Sequence, residues 1–189
     1  MNMPKYIMWA FWGMVLYQLI LPIRTVVQNE TALRSGTMYK FPTVPVDPND
    51  PFRGKYVALN FPNLQDDLPS DELQEIASTA WVGQELYLSL SQNDDGYVKA
   101  TDIGIDPPYS GDYVAVRVTS VIYAHTDSAR IRTDFDFNRF YMEEFKAPEA
   151  EDRYRDAHRE GKDVYAVVRV SGDVALLEDV LIDGKSIKD

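Results

Sequence analysis

The sequence predicts an α+β protein: a mainly antiparallel β domain, for which a barrel-like closure is one available form, carried on one N-terminal transmembrane helix. Three observations predict it. Residues 6–23, YIMWAFWGMVLYQLILPI, are uncharged, with Gln18 as the one strongly polar residue. A strand phrase is written twice, as VPVDPNDPFRGKYVALNF at 44–61 and as IGIDPPYSGDYVAVRV at 103–118. Each copy precedes an amphipathic helical pattern and then two runs of strand-like alternation.

The anchor comes first. Eighteen helical residues span about 27 Å, close to the hydrocarbon thickness of a bilayer. Extension through Val26 and Val27 adds margin, so the membrane contact is placed at residues 6–27. Tyr6, Trp9, Trp12 and Tyr17 suit the interface, although the two Trp lie deeper than a strict belt. A cleaved signal peptide needs a small-x-small site, and the exit here reads LPIRTVVQNE. A buried core helix needs a polar stripe, and only Gln18 offers one. Lys5 precedes the span; Arg24, Arg34 and Lys40 follow it, a count that leans toward a cytoplasmic domain without deciding the matter.

QNETALRSG (28–36) continues the helix, with Gly36 expected as its left-handed stop. TMYKFPTVPV (37–46) predicts a strand at an edge or bend, marked by Pro42 and Pro45. Asp47-Pro48 and Asp50-Pro51 initiate turns, and Gly54 closes them. In GKYVALNF, Val57, Leu59 and Phe61 share one face and Tyr56, Ala58 and Asn60 the other. The second copy divides likewise: Val114, Val116 and Val118 against Tyr113, Ala115 and Arg117. The all-apolar face is the expected core face.

LPSDELQEIAS (68–78) predicts a helix capped by Ser70. Residues 83–106 predict a hairpin turning at NDDG. APEAEDRYRDAHREG (147–161) predicts a helix ended by Gly161, and residues 161–184 a hairpin turning at SGD. Gly-x-(Glu/Asp)-(Leu/Val)-Tyr opens both hairpins, and Asp-(Ile/Val)-(Gly/Leu)-Ile-Asp closes both. The chain thus reads as an anchor with a helical extension (1–36) and a β-rich domain (37–189). The domain comprises two related strand–helix–hairpin units, about 44–106 and 103–184. Residues 119–146 are an insertion in the second unit, expected to form a hairpin turning near HTDSA.

Composition limits the chemistry. The chain has 189 residues and no Cys, which removes disulfides, thiol nucleophiles and Cys-ligated metals. Its net charge is −11. Residues 1–40 hold four basic side chains and one acid; residues 41–189 hold 15 basic and 29 acidic ones. Such an acidic domain repels phosphate backbones, so no nucleic-acid partner is expected. His125 in a turn and His158 late in a helix are the only histidines, and no Gly-x-Ser-x-Gly occurs. SQNDDGYVKATD (91–102) partly fits a calcium loop through Asn93, Asp95 and Asp102. Ser91 replaces the first Asp, Asp102 the last Glu, and a hairpin turn explains the same residues. FDFNRFY (135–141) reads as a strand with Phe135, Phe137 and Arg139 on one face, or as an aromatic platform for carbohydrate or peptide. No cofactor and no catalytic residue are assigned.

With DPNDPFRGKYVALNF, an upstream apolar helix and VLIDGK near the C-terminus, the sequence resembles the GDYXXLXY family of bacterial membrane-anchored proteins. The motif stands here as Gly54-Lys55-Tyr56-Val57-Ala58-Leu59-Asn60-Phe61, with Lys55 for Asp and Phe61 for the last Tyr. The second copy, Gly111-Asp112-Tyr113, keeps the Asp. The resemblance implies one N-terminal span, a domain outside the cytoplasm and a multi-spanning membrane protein as partner; it brings no activity. Lys55 could not stand in for a required carboxylate base or ligand. The motif residues Asp47, Pro48, Asp50, Arg53, Gly54, Tyr56, Gly111, Asp112 and Tyr113 are accordingly expected to be structural first. Arg53 and Tyr56 are where a further role is sought. The expected function is that of a non-enzymatic envelope module binding a membrane partner, with an anchored enzyme or a ligand or metal sensor as alternatives.

Overall fold

A computed structural model describes residues 5–45, 56–123 and 129–188. The first helix, α1, covers Lys5–Ser35 and includes Pro22. It is long and apolar enough to cross a membrane, and none of its most apolar window is covered by the rest of the chain. Its C-terminal turns are covered: Ala32 is fully buried, and Gln28 and Asn29 are half-buried.

Among the described residues ten strands follow, interleaved with two α-helices and, before α2, a single 3-10 turn (Leu64–Asp67): β1 (Thr37–Pro42), β2 (Tyr56–Ala58), α2 (Ser70–Thr79), β3 (Glu85–Gln92), β4 (Val98–Gly104), β5 (Tyr113–Tyr123), β6 (Ala129–Phe135), β7 (Arg139–Tyr141), α3 (Ala147–Arg159), β8 (Val164–Ser171), β9 (Val174–Ile182) and β10 (Lys185–Ser186). They form three sheets, ordered β4-β3-β5-β6, β1-β8-β9-β10 and β2-β7, and every named strand pair is antiparallel. None of these sheets closes into a barrel among the described residues. The first two sheets meet where Lys40 of β1 forms an isolated bridge with Tyr97, its N–H donating to the Gly96 carbonyl.

Alternation puts the expected face inward. Val57, Val114, Val116 and Val118 are at most 2% exposed, and Leu59 is buried with them. Each such side chain contributes about 1.5–3 kcal/mol when fully buried. Phe41 packs edge-on against Phe61, Phe135 and Phe137, so one aromatic cluster joins β1 to both edges of the β6–β7 turn.

The two hairpins expected to correspond share a detail. In β3 the register slips between Ser89 and Leu90, and in β8 between Val167 and Val168. Counted from Gly83 and Gly161, these are the same position. Opposite the two slips stand Asp102 and Asp179, each accepting from the N–H of its next residue at 2.8 Å. The two Gly-x-Tyr-Val-Ala strands, in contrast, have unlike partners: β2 pairs with β7, whereas β5 lies between β3 and β6.

Three local expectations are corrected. Gly36 ends α1, but it is absent from the residues with positive φ. Glycine is needed there because a Cβ would lie 2.4 Å from the Ala32 carbonyl oxygen and 2.9 Å from that of Val170. Ser70 begins α2 but does not cap it; Pro69 holds the cap position, with no side-chain bond. FDFNRFY is not one strand but the end of β6, a turn at Asp136-Phe137, and β7. The turn of the β5–β6 hairpin, with His125, lies outside the described residues.

Candidate functional site

Strands β2 and β7 carry the exposed end of the duplicated phrase. Val57 and its partner Phe140 point into the core, so the flanking pairs Tyr56–Tyr141 and Ala58–Arg139 point out. The Tyr56 and Tyr141 rings are 5.7 Å apart, and the Arg139 guanidinium lies 5.3 Å from the centre of the Tyr56 ring. A hydrogen bond to Tyr141 pushes the pKa of that guanidinium further up.

Beside this pair opens a polar groove. Its larger part, about 610 Å³, runs between the segment 59–63 and strand β6, with Asn60, Asn63, Thr119, Arg132 and Asn138 among its walls. A smaller part, about 340 Å³, continues past Thr119, Asp134 and Asn138 to Arg117, Arg139 and Tyr141. Asp134 is committed to the scaffold: its carboxylate accepts from the Phe135 N–H at 3.0 Å and from the Asn138 amide at 2.9 Å. The Asn138 carbonyl in turn accepts from the Leu59 N–H at 2.9 Å, fixing the segment after β2 against the β6–β7 turn. Three arginines, Arg117, Arg132 and Arg139, line the groove together with two aspartates, Asp134 and Asp136, and the planar guanidinium forks suit carboxylates and other planar acceptors.

An exposed aromatic lies two residues before Gly83, whose carbonyl meets Arg117 of the groove. Trp81, 64% exposed, precedes a turn whose Gly83 N–H donates to the Val118 carbonyl and whose Gly83 carbonyl accepts from Arg117. Tyr141 is 65% exposed. Trp, Tyr and Arg are the residue types that dominate binding hot spots.

The second motif copy is placed differently. Gly111 takes φ +91° at the entrance to β5. The Asp112 carboxylate accepts from the Tyr39 hydroxyl at 3.0 Å, and its carbonyl accepts from the Leu90 N–H at 2.9 Å. Burial, and then this carboxylate, push the Tyr39 hydroxyl up to about 12. Tyr113 packs edge-on against Tyr87 on the outer sheet face. Asp112 thus ties β1 to the sheet of β5, a structural task. Of the first copy, Asp47, Pro48, Asp50, Arg53 and Gly54 lie outside the described residues, and Tyr56 is the member that packs against Arg139 and Tyr141 of the groove.

The calcium-loop candidates form a hairpin turn. The Asn93 side-chain oxygen accepts from the N–H groups of Asp95 and Tyr97, and Gly96 takes φ +81°. The Lys40 ammonium donates to the Asp95 carbonyl at 2.9 Å and lies 5.4 Å from both the Tyr97 and Tyr165 rings. Asp102 stands further along β4, opposite Ser89. Among the described residues no three His, Asp or Glu side chains gather to hold a metal ion.

His158 is half-buried. Its Nε2 lies 3.2 Å from the Thr43 hydroxyl, which itself donates to the Val164 carbonyl at 3.0 Å. With that proton spent on Val164, Thr43 accepts from the imidazole and is not activated by it. Burial pulls the His158 pKa down.

Sequence reading singled out Arg139 and Tyr141 within one motif and placed Arg117 on the half-polar face. It missed Asn60, Asn63, Thr119, Arg132, Asp134 and Asn138 as a group. Only the β5–β6 and β2–β7 pairings bring them together, and neither pairing leaves a local signal.

Fold and site define a class: a β-rich domain in antiparallel sheets, led by an apolar helix of membrane-spanning length and bearing an arginine-rich groove. The family model described as GDYXXLXY protein matches residues 18–178. The chain belongs to the GDYXXLXY family. Neither the curated proteins nor the solved structures hold a match to it.

Proposed function

We propose that this chain is a single-pass module of the bacterial cytoplasmic membrane whose domain, on the outer side, docks another membrane or envelope protein. The observation that carries this reading is the junction of anchor and domain. Only Gly36 separates α1 from β1. Arg169 of β8 donates to the Gly36 carbonyl at 3.3 Å and pairs with Glu178 at 2.7 Å. Ala32 is packed at 0% exposure. A domain so joined moves as one body with the end of its anchor and stays close to the lipid, which favours a partner in the same membrane over a diffusing one. The groove, with Tyr141 in its wall and Trp81 in the segment leading to the turn that Arg117 contacts, offers the docking surface. The shared bulge position of the two hairpins supports reading the domain as two related units, in which the duplicated phrase is scaffold.

The test is affinity purification from solubilised membranes, with and without crosslinker. A specific membrane protein should co-purify; recovery of the monomer alone under both conditions counts against the proposal. A periplasm-active reporter fused at the C-terminus should be active, and a cytoplasmic result would break the envelope assignment.

The groove, at about 610 Å³, favours one second reading, a sensor of a small carboxylate-bearing ligand. A melting temperature raised by a panel of di- and tricarboxylates would support it; a melting temperature unmoved throughout would remove it.

A further inference from the structure

We infer that the face of α1 bearing Gln18 and Pro22 binds a membrane helix of a different protein, one that offers a polar side chain near mid-bilayer. This rests on the membrane anchoring proposed above and names how the partner is recognised.

Gln18 is the one strongly polar side chain between Tyr6 and Ile23, and it is exposed. Among the described residues nothing bonds its amide. Four residues on, Pro22 lies inside the helix. Proline has no N–H, so the Gln18 carbonyl loses its ordinary helical donor. One residue therefore presents an amide that donates and accepts together with a freed backbone acceptor. Hydrocarbon offers none of these groups a partner, whereas a neighbouring helix does. Thr25, the next polar residue on this side, is satisfied within the helix, its hydroxyl donating to the Leu21 carbonyl at 3.1 Å.

The direction of that face decides what can occupy it. At about 100° per residue, Gln18, Thr25 and Ala32 fall within about 40° of one line along the helix. Ala32 is where the domain covers α1, and half-buried Asn29 lies on the same side. The polar notch therefore opens beneath the chain's own domain. A second copy meeting it about a two-fold axis would drive two domains into the same space above the membrane. A helix from another protein with a short extramembrane end fits under the overhang. The domain's lower surface would then cover that end.

The experiment places a benzophenone amino acid in the full chain, in its native membrane, at Met14 or Leu21 beside Gln18, or at Leu16 or Ile20 on the opposite face. Carbonate extraction first checks anchoring: a chain released as soluble overturns the membrane reading itself. In membrane-retained protein, irradiation at Met14 or Leu21 should give one adduct with a protein that mass spectrometry identifies as membrane-spanning. It should be at least tenfold weaker from Leu16 or Ile20. Gln18→Leu, which remains carbonate-resistant because it is more apolar, should reduce the adduct at least fivefold, and Gln18→Asn should retain most of it. An adduct between two copies of this chain overturns the inference. So do equal adducts from both faces, no adduct, or an adduct unchanged by Gln18→Leu.

Discussion

The Tyr39 hydroxyl donates to the Asp112 carboxylate across 3.0 Å, joining the first strand of the domain to the second copy of its motif, 73 residues away. Losing a hydrogen bond to a charged group costs about 1.5–3 kcal/mol, and less where water reaches it. Tyr39→Phe should therefore lower the unfolding free energy by about 1 kcal/mol. Chemical denaturation of the detergent-solubilised chain measures this, and an unchanged midpoint would remove the structural role assigned to Asp112.

Stability should also decline at high pH. Tyr39 and Tyr154 are both pushed up to about 12, first by burial, against an ordinary value of 10.0. The fold holds their protonated forms, so the stabilisation is complete below pH 10 and is lost as pH rises through 12. At the other end, burial lowers the His158 pKa from 6.5. The fold there holds the neutral form, and stability should fall as pH drops below 6.5. Melting temperatures across pH 5–12 would show both limbs, and His158→Gln should flatten the acid one.

Gly36→Ala should be among the more damaging small substitutions. Its methyl group would meet two backbone carbonyl oxygens, neither of which can rotate aside. Overpacking of this kind costs about 1–3 kcal/mol. Gly13→Ala, with nothing within 4 Å, is the control and should be neutral by the same melt.

Within the motif, core and rim should separate. Val57→Ala removes two methyl groups from a fully buried site and should cost about 1–3 kcal/mol, transfer and cavity together. Arg139→Ala removes an exposed side chain whose contact with Tyr56 is worth about 0.5–1 kcal/mol, yet it should weaken partner recovery at least fivefold. Equal partner recovery from Arg139→Ala and wild type would move the docking surface away from the groove.

Where the chain's own periodicity carries the information, the sequence was legible. Val57, Val114, Val116 and Val118 alternate and are buried; residues 6–23 carry no charge and one strongly polar side chain, Gln18, and lie within one helix; Gly161 closes α3. The groove was not legible, because its walls come from residues 59–63, 117–119, 132–134 and 138–141. These meet only through antiparallel registers such as Arg117 opposite Asp134. Gly36 shows the same limit at one position: the site of the helix end could be read, but its cause could not, because the Val170 carbonyl arrives from a strand more than 130 residues later. Phe137 was misplaced because alternating aromatics mimic a strand, whereas here they turn a corner around Phe41.

The junction at Gly36 makes α1 a lever. Its 31 residues extend about 46 Å, and the sheet is fastened to one end of it. A change of about 10° in the tilt of the whole helix about its far end would swing the domain end by about 8 Å. Bilayer thickness, or a helix seated against Gln18, would thus be read out as the position of the groove.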